Sequence, residues 1–239
     1  MKRSFSKSDS AVSEVIGNIQ IFAIVVVSIG LVMVVGGPIL TNAQDSAKLD
    51  YIISTFVILQ SDINRVAYNQ APFQNMDLIL GGGSLVYGSD DNISNITVQI
   101  NGTNFSNSDY IEYSYKGNKI AYISGGVYEI YRSGSWRMIS APRIFVRQNM
   151  TYISMYHLSG NGSRGGIGNV KLSLHYNETT VDTFRPIAGS NLTISLNGLY
   201  ADVQGNYLED QGFTKITGNN YTIASETVTI SQYFITIND

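Results

Sequence analysis

From Val15 to Leu40 the chain runs 26 residues without a charged side chain, and Ile21 to Val35 hold nothing more polar than Ser28. A helix of that length rises about 39 Å, more than the ~30 Å hydrocarbon core of a bilayer. A helix apolar on every face needs lipid around it, or a far larger protein than this one. A secretory signal peptide is the main rival. Its apolar region usually spans about 7–15 residues and ends in a small-x-small cleavage site, and no such site precedes Pro38. Lys2, Arg3 and Lys7 stand ahead of the run. By the positive-inside rule they keep the short N-terminus cytoplasmic and place the remaining chain outside.

The residues directly before the run are Ala11-Val12-Ser13-Glu14-Val15-Ile16-Gly17, behind a short basic and polar leader. This arrangement resembles the N-terminus of archaeal type IV pilin-like proteins, whose usual form reads A-V-S-P-V-I-G; here Glu14 replaces the proline. The resemblance implies that a prepilin peptidase cuts next to Ala11, between Ala11 and Val12 or one residue to either side. It also implies that the apolar helix is retained and packs against other pilin-like subunits. Glu14 has two readings. As in type IV pilins, its carboxylate could pair with the new α-amine of a neighbouring subunit and set register, since carboxylates in a membrane call for a specific partner. Alternatively Ser13 caps the helix and Glu14 sits in its first turn, favoured by the helix dipole.

Gly36-Gly37-Pro38 predicts a kink or break, either a hinge or simply the membrane exit. Beyond it, Leu49, Ile52, Phe56, Leu59, Ile63 and Val66 recur at alternating spacings of three and four, a heptad seam on an amphipathic helix. That stripe fits either the protein's own sheet or a partner helix. Pro72 ends the helix near Ala71.

After Pro72 the period becomes two: Ile111, Tyr113 and Tyr115 alternate with Glu112 and Ser114, and Val170, Leu172, Leu174 and Tyr176 with Lys171, Ser173 and His175. Glycine- and asparagine-rich clusters at 81–83, 88–92, 101–108, 116–118, 160–169 and 218–220 punctuate these runs. The spacing predicts an antiparallel, sandwich-like domain. One helical spacing interrupts it, from Leu196 through Leu199, Tyr200, Val203, Tyr207 and Leu208 to about Gln211. The fold expected is α+β: leader 1–11, transmembrane helix 12–40, amphipathic stalk 41–71 and β-rich extracytoplasmic domain 72–239. No cysteine is present, so this domain is stabilised without disulfides.

The β-rich part carries nine Asn-x-Ser/Thr triplets, beginning at Asn92, Asn95, Asn101, Asn104, Asn149, Asn161, Asn177, Asn191 and Asn220. Composition alone predicts roughly four, and such triplets accept glycans only in a translocated chain. Other chemistry is weakly represented. Gly160-Asn161-Gly162-Ser163-Arg164-Gly165 matches a dinucleotide-binding pattern, but an alternating strand rather than a helix follows, so a hairpin loop is expected. Asp90, Asp91, Asn92 and Ser94 lack the bidentate acid of a calcium loop and read as a polar turn. His157 and His175 have no carboxylate at triad or metal spacing. The net charge of −3 gives no nucleic-acid footprint. Trp136 and the 16 tyrosines fit sheet core better than a glycan- or surface-binding face.

Two functions follow as expectations, neither enzymatic and neither using a cofactor or metal. One is a membrane-anchored pilin-like subunit, major or minor, of a surface filament for adhesion, with membrane lipid, prepilin peptidase and sister subunits as partners. The other is a single-pass surface protein that never polymerises and whose ectodomain binds a glycan, surface or protein.

Overall fold

The computed structural model describes residues 8–69, 71–187 and 191–239, and within these the side chains from Val15 onward, residue 69 excepted. The chain divides into two compact units, the first ending at Asp50 and the second running from Tyr51 to Asp239.

Helix α1 (Ser8–Asn69) is unbroken, with Pro38 inside it. The expected break at Gly36-Gly37-Pro38 is absent. Proline removes one backbone donor, and Thr41 Oγ1 gives a hydrogen bond to Gly37 O at 3.0 Å in the next turn. Ser28 Oγ does the same for Ile24 O at 2.7 Å, so both hydroxyls are satisfied by the helix itself. Where water is excluded, a backbone keeps its internal bonds because each lost one costs several kcal/mol. In the first unit every large apolar side chain from Val15 to Leu40 is exposed. This one helix is long and apolar enough to cross a membrane.

In the second unit the end of α1 is a core element. Ile52, Phe56, Leu59, Ile63 and Val66 are fully buried, so the stripe packs within its own domain rather than awaiting a partner helix. Polar groups lock the same face. Gln60 Nε2 donates to Gly125 O at 2.7 Å and to Ala141 O at 3.1 Å, and Tyr156 OH donates to Asn64 Oδ1 at 2.8 Å.

Among the described residues, sixteen strands form three sheets, numbered here in chain order. The first sheet runs β1 (Phe73–Ile79), β12 (Asn169–Phe184), β16 (Thr227–Asn238), β10 (Met150–Ser159), β9 (Ile144–Arg147). The second runs β11 (Gly162–Gly165), β2 (Ser84–Ser89), β5 (Asp109–Tyr115), β6 (Asn118–Ile123), β7 (Gly126–Ile130), β8 (Trp136–Ser140). The third runs β14 (Thr214–Lys215), β15 (Asn220–Ile223), β13 (Leu192–Asn197), β3 (Asn95–Ile100), β4 (Thr103–Asn107). Four hairpins turn on residue pairs that both have positive φ: Asn101-Gly102, Lys116-Gly117, Ser124-Gly125 and Gln148-Asn149. That is the turn whose twist matches the flanking strands.

The pairing is antiparallel throughout except for β10 and β16, which run parallel from Met150↔Thr227 to Ser159↔Thr236. Parallel strands sit in the interior of a sheet with both faces covered. Accordingly Met155 and Tyr156, on opposite faces of β10, are both buried. The first and third sheets share one core through Ile153, Met155, Val228 and Ile230 against Val98, Leu192, Ile194 and Leu196. Helix α2 (Ala201–Asp210) joins this core through Leu208, while its Val203 packs with Tyr200 on the second sheet's Tyr110 and Tyr128.

Three sequence expectations shift here. The second helix starts at Ala201, because Leu196 is a buried strand residue of β13 and Gly198, with φ of 99°, turns the chain between them. The cluster at 101–108 is a turn followed by β4. Glu112, expected on a solvated face, is buried; Lys119 Nζ lies 2.9 Å from its Oε1, and Tyr200 OH donates to its Oε2 at 2.8 Å.

The two stretches of α1 predict opposite responses to truncation. Phe56→Ala should destabilise the β-rich unit by about 3–5 kcal/mol through transfer and cavity terms. Phe22→Ala, in the exposed run, should leave the same denaturation midpoint unchanged when both full-length chains are melted in detergent.

Candidate functional site

The residues the sequence marks at the N-terminus, Ala11, Val12 and Glu14, lie in α1 where only the backbone is described. Most of the leader and the side chain of Glu14 lie outside the described residues. The described part of the helix starts at Ser8, so the backbone at Ser13 lies within it.

The second unit has an open cleft of about 740 Å³ between the outgoing ends of β2 and β10 and the start of β5. Asp109 and His157 form one wall. Asp109 opens β5 and accepts from Leu158 N at 2.9 Å, while Asn107 Nδ2 donates to Tyr156 O at 2.6 Å. Beyond Ile153, β9 no longer pairs with β10, and these two side chains satisfy its edge in place of a strand. His157 Nδ1 faces Asp109 Oδ2 at 4.0 Å. Its Nε2 is 3.1 Å from Gln232 Oε1, and its ring stacks on Phe234 with centroids 4.7 Å apart and planes 11° from parallel.

Both ring nitrogens of His157 therefore face protein groups, and neither is aligned with a hydroxyl. The nearby Ser89 and Ser108 hydroxyls bond each other at 2.6 Å. Among the described residues no group of three or more His, Asp or Glu side chains is placed to hold a metal. Sequence spacing did not connect Asp109 with His157, which are 48 positions apart on different sheets. Only the packing of β5 beside β10 does so.

The glycine pattern at 160–165 is half turn and half strand, since Gly162–Gly165 form β11 against β2. The free edge of β2 accepts four more residues, which ends the expected loop early. Gly160 has φ of 137°, and a Cβ there would strike Ile237 O; at Gly162 a Cβ would stand 2.6 Å from the Tyr87 ring. These glycines let backbone and ring close together at the cleft floor. The acidic segment at 90–94 is a turn: Asp90 Oδ1 accepts from Asn92 N at 2.9 Å and from Asn92 Nδ2 at 3.0 Å. Ser94 is buried with its hydroxyl turned inward.

The triplet asparagines all lie on the surface of this unit. Asn92, Asn104, Asn149, Asn161, Asn177 and Asn191 are exposed, and Asn95, Asn101 and Asn220 are half-buried. The amide nitrogen that would carry a sugar is already donating at six of the nine. Besides Asn92, the acceptors are Asp91 for Asn95, Arg185 O for Asn101, Glu226 for Asn149, Thr236 for Asn177 and Thr217 O for Asn220. Asn104, Asn161 and Asn191 show no such bond among the described residues. Of the aromatics, Tyr113, Tyr122, Tyr128, Tyr156, Tyr200 and Tyr221 are fully buried as sheet core. His175 lies on β12 against Phe73, their ring centroids 4.8 Å apart, and Trp136 is exposed on the edge strand β8.

Burial raises the Asp109 carboxyl above its ordinary value of 3.8, partly opposed by the bond from Leu158 N and by His157. A raised carboxyl means that folding disfavours the charged form, so stability falls as pH rises through 3.8 and beyond. Asn at this position would still accept from Leu158 N. Asp109→Asn should therefore be more stable than the parent at pH 8, with the gain vanishing near pH 3.5–4. Denaturant midpoints of the two full chains across that range check the sign.

A family profile described as "Family of unknown function (DUF7289)" matches residues 11–236. A protein of Archaeoglobus fulgidus, carrying the name "Uncharacterized protein", is 22% identical over 194 residues, covering 73% of this chain and 74% of its own length. No solved structure matches the chain. The match runs from the heptapeptide before the apolar helix almost to the end of β16, and the chain belongs to the DUF7289 family.

Proposed function

We propose that this protein is an archaeal type IV pilin-like surface protein, held in the membrane by α1 with its β-rich unit outside the cell. The observation that carries the reading is a juxtaposition. The heptapeptide Ala11–Gly17 stands directly before a helix whose large apolar side chains, Val15 to Leu40, are all exposed. An exposed apolar surface of that size is stable only in lipid or against other apolar helices, and these are the two surroundings that a processed pilin helix occupies in turn. In this reading prepilin peptidase removes the leader at Ala11–Val12. Glu14 is then the third residue of the mature chain, near enough to the membrane edge to pair with the amine of a neighbouring subunit. An archaeal relative supports the assignment to archaea.

A second reading keeps the anchor and the outside domain but no filament: a single-pass surface protein whose ectodomain is a binding module. The 740 Å³ cleft favours it, because it lies in the β-rich unit and needs no neighbour. In both readings the triplet asparagines face the outside, and Asn104, Asn161 and Asn191 are the acceptors with an uncommitted amide.

Mass spectrometry of the protein from its native membrane tests the first reading. The expected mature chain lacks its first 11 residues and starts at Val12, or one residue to either side, with glycans found first on Asn104, Asn161 and Asn191. A full-length N-terminus contradicts processing and leaves the second reading standing.

A further inference from the structure

We infer that the cleft between the ends of β2 and β10 binds a neutral saccharide. The site lies wholly in the second unit, and the inference holds whether or not the chain polymerises.

A saccharide is amphipathic in a particular way, with apolar C–H faces and a rim of hydroxyl donors. The cleft offers the complement of both. His157 and Phe234 are half-buried on β10 and β16 and stand as a stacked pair on the face that carries Ile153, Met155, Val228 and Ile230. Met155 and Ile230 are buried in the core, and the pair continues that face as an apolar wall of the cleft. Beside the wall stand two carboxylates held in place by backbone donors: Asp109 by Leu158 N and Asp90 by Asn92 N. An ionised carboxylate has about four acceptor positions; Asp90 uses two of them on Asn92, and Asp109 is met by Leu158 N, Ser89 and His157, so each keeps a position for a ligand hydroxyl. Gly88 and Gly160 complete the lining of the cleft.

Charge selects among the ligands. The cleft lining contains Asp90, Asp109 and His157 but no lysine or arginine. Phosphates, sulfated sugars and uronic acids would meet carboxylates without a compensating cation, whereas a neutral sugar gives charge-assisted hydrogen bonds. Size favours a saccharide over a small organic cation. About 740 Å³ falls in the range of pockets for drug-sized ligands, roughly 300–1,000 Å³.

The test uses the full chain made in a bacterial host, so that Asn161 at the cleft rim carries no glycan, and held in a polyoxyethylene detergent with no sugar headgroup. Saturation-transfer NMR and calorimetry are run with neutral gluco-, manno- and galacto-oligosaccharides. Uronic acid oligosaccharides and tetramethylammonium serve as comparison ligands. The expected result is binding of at least one neutral series, with the uronic acids bound about ten-fold more weakly or not at all. Phe234→Ala should weaken the neutral ligand about five-fold through loss of the apolar wall. Ser159→Trp, at an exposed position on the rim, should fill the cleft and abolish binding while leaving the circular dichroism spectrum unchanged. Failure of every neutral series to bind would overturn the inference. So would unchanged binding to the Ser159→Trp chain, or binding of tetramethylammonium alone.

Discussion

One helix face, Ile52, Phe56, Leu59, Ile63 and Val66, sets the conditions for the rest of the second unit. Each side chain is fully buried, and burying five such groups removes a large apolar area from water at about 25 cal/mol per Å². The polar partners of that face, Gln60 on Gly125 O and Ala141 O and Asn64 on Tyr156 OH, fix which carbonyls and which tyrosine it meets. An unmade bond in that position would cost about 1–3 kcal/mol, so the contact has one register. The same helix, over Val15 to Leu40, carries apolar side chains that nothing in the first unit covers. That stretch is long and apolar enough to cross a membrane.

The cleft follows from how the sheets meet. The parallel pair β10 and β16 puts His157 beside Phe234, and the end of β9 at Ile144↔Ile153 leaves the other edge of the far half of β10 without a strand partner. Asn107 and Asp109 take that edge with side chains instead. A carboxylate used to finish a strand edge is partly desolvated, which explains the raised Asp109 carboxyl, and it also leaves a gap that a whole strand would have closed. Asp109 thus both finishes a strand edge and lines the cleft.

Much of this architecture is legible in the sequence wherever the signal is local. The uncharged run, the heptad seam and the period-two strands are read from neighbours in the chain, and all three appear as elements. What escapes is non-local or depends on surroundings. The parallel pairing of β10 with β16 joins segments separated by five strands and a helix, and nothing in either segment's alternation announces it. The meeting of Asp109 with His157 likewise depends on the packing of β5 beside β10, on different sheets. Glu112 sits in a regular alternation that implies solvent, yet the tyrosine just before α2 arrives from 88 positions away to cover it. At Pro38 a local rule, that proline breaks a helix, yields because only one backbone donor is lost in a helix that continues on both sides. The glycine pattern at 160–165 is a motif by spelling alone; its glycines make room for the Tyr87 ring and for the backbone at Ile237.

The central claim is a helix in the membrane and a β-rich unit outside it. The absence of cysteine allows a direct measurement: single cysteines introduced one at a time and probed in intact cells with a membrane-impermeant maleimide. Ser133→Cys, on an exposed turn of the β-rich unit, should label fully from outside. Ser28→Cys, in the middle of the apolar run, should stay unlabelled until the protein is extracted and denatured. Protection of Ser133→Cys until the cells are broken would place the β-rich unit inside, and ready labelling of Ser28→Cys would take α1 out of the membrane; either result contradicts the account.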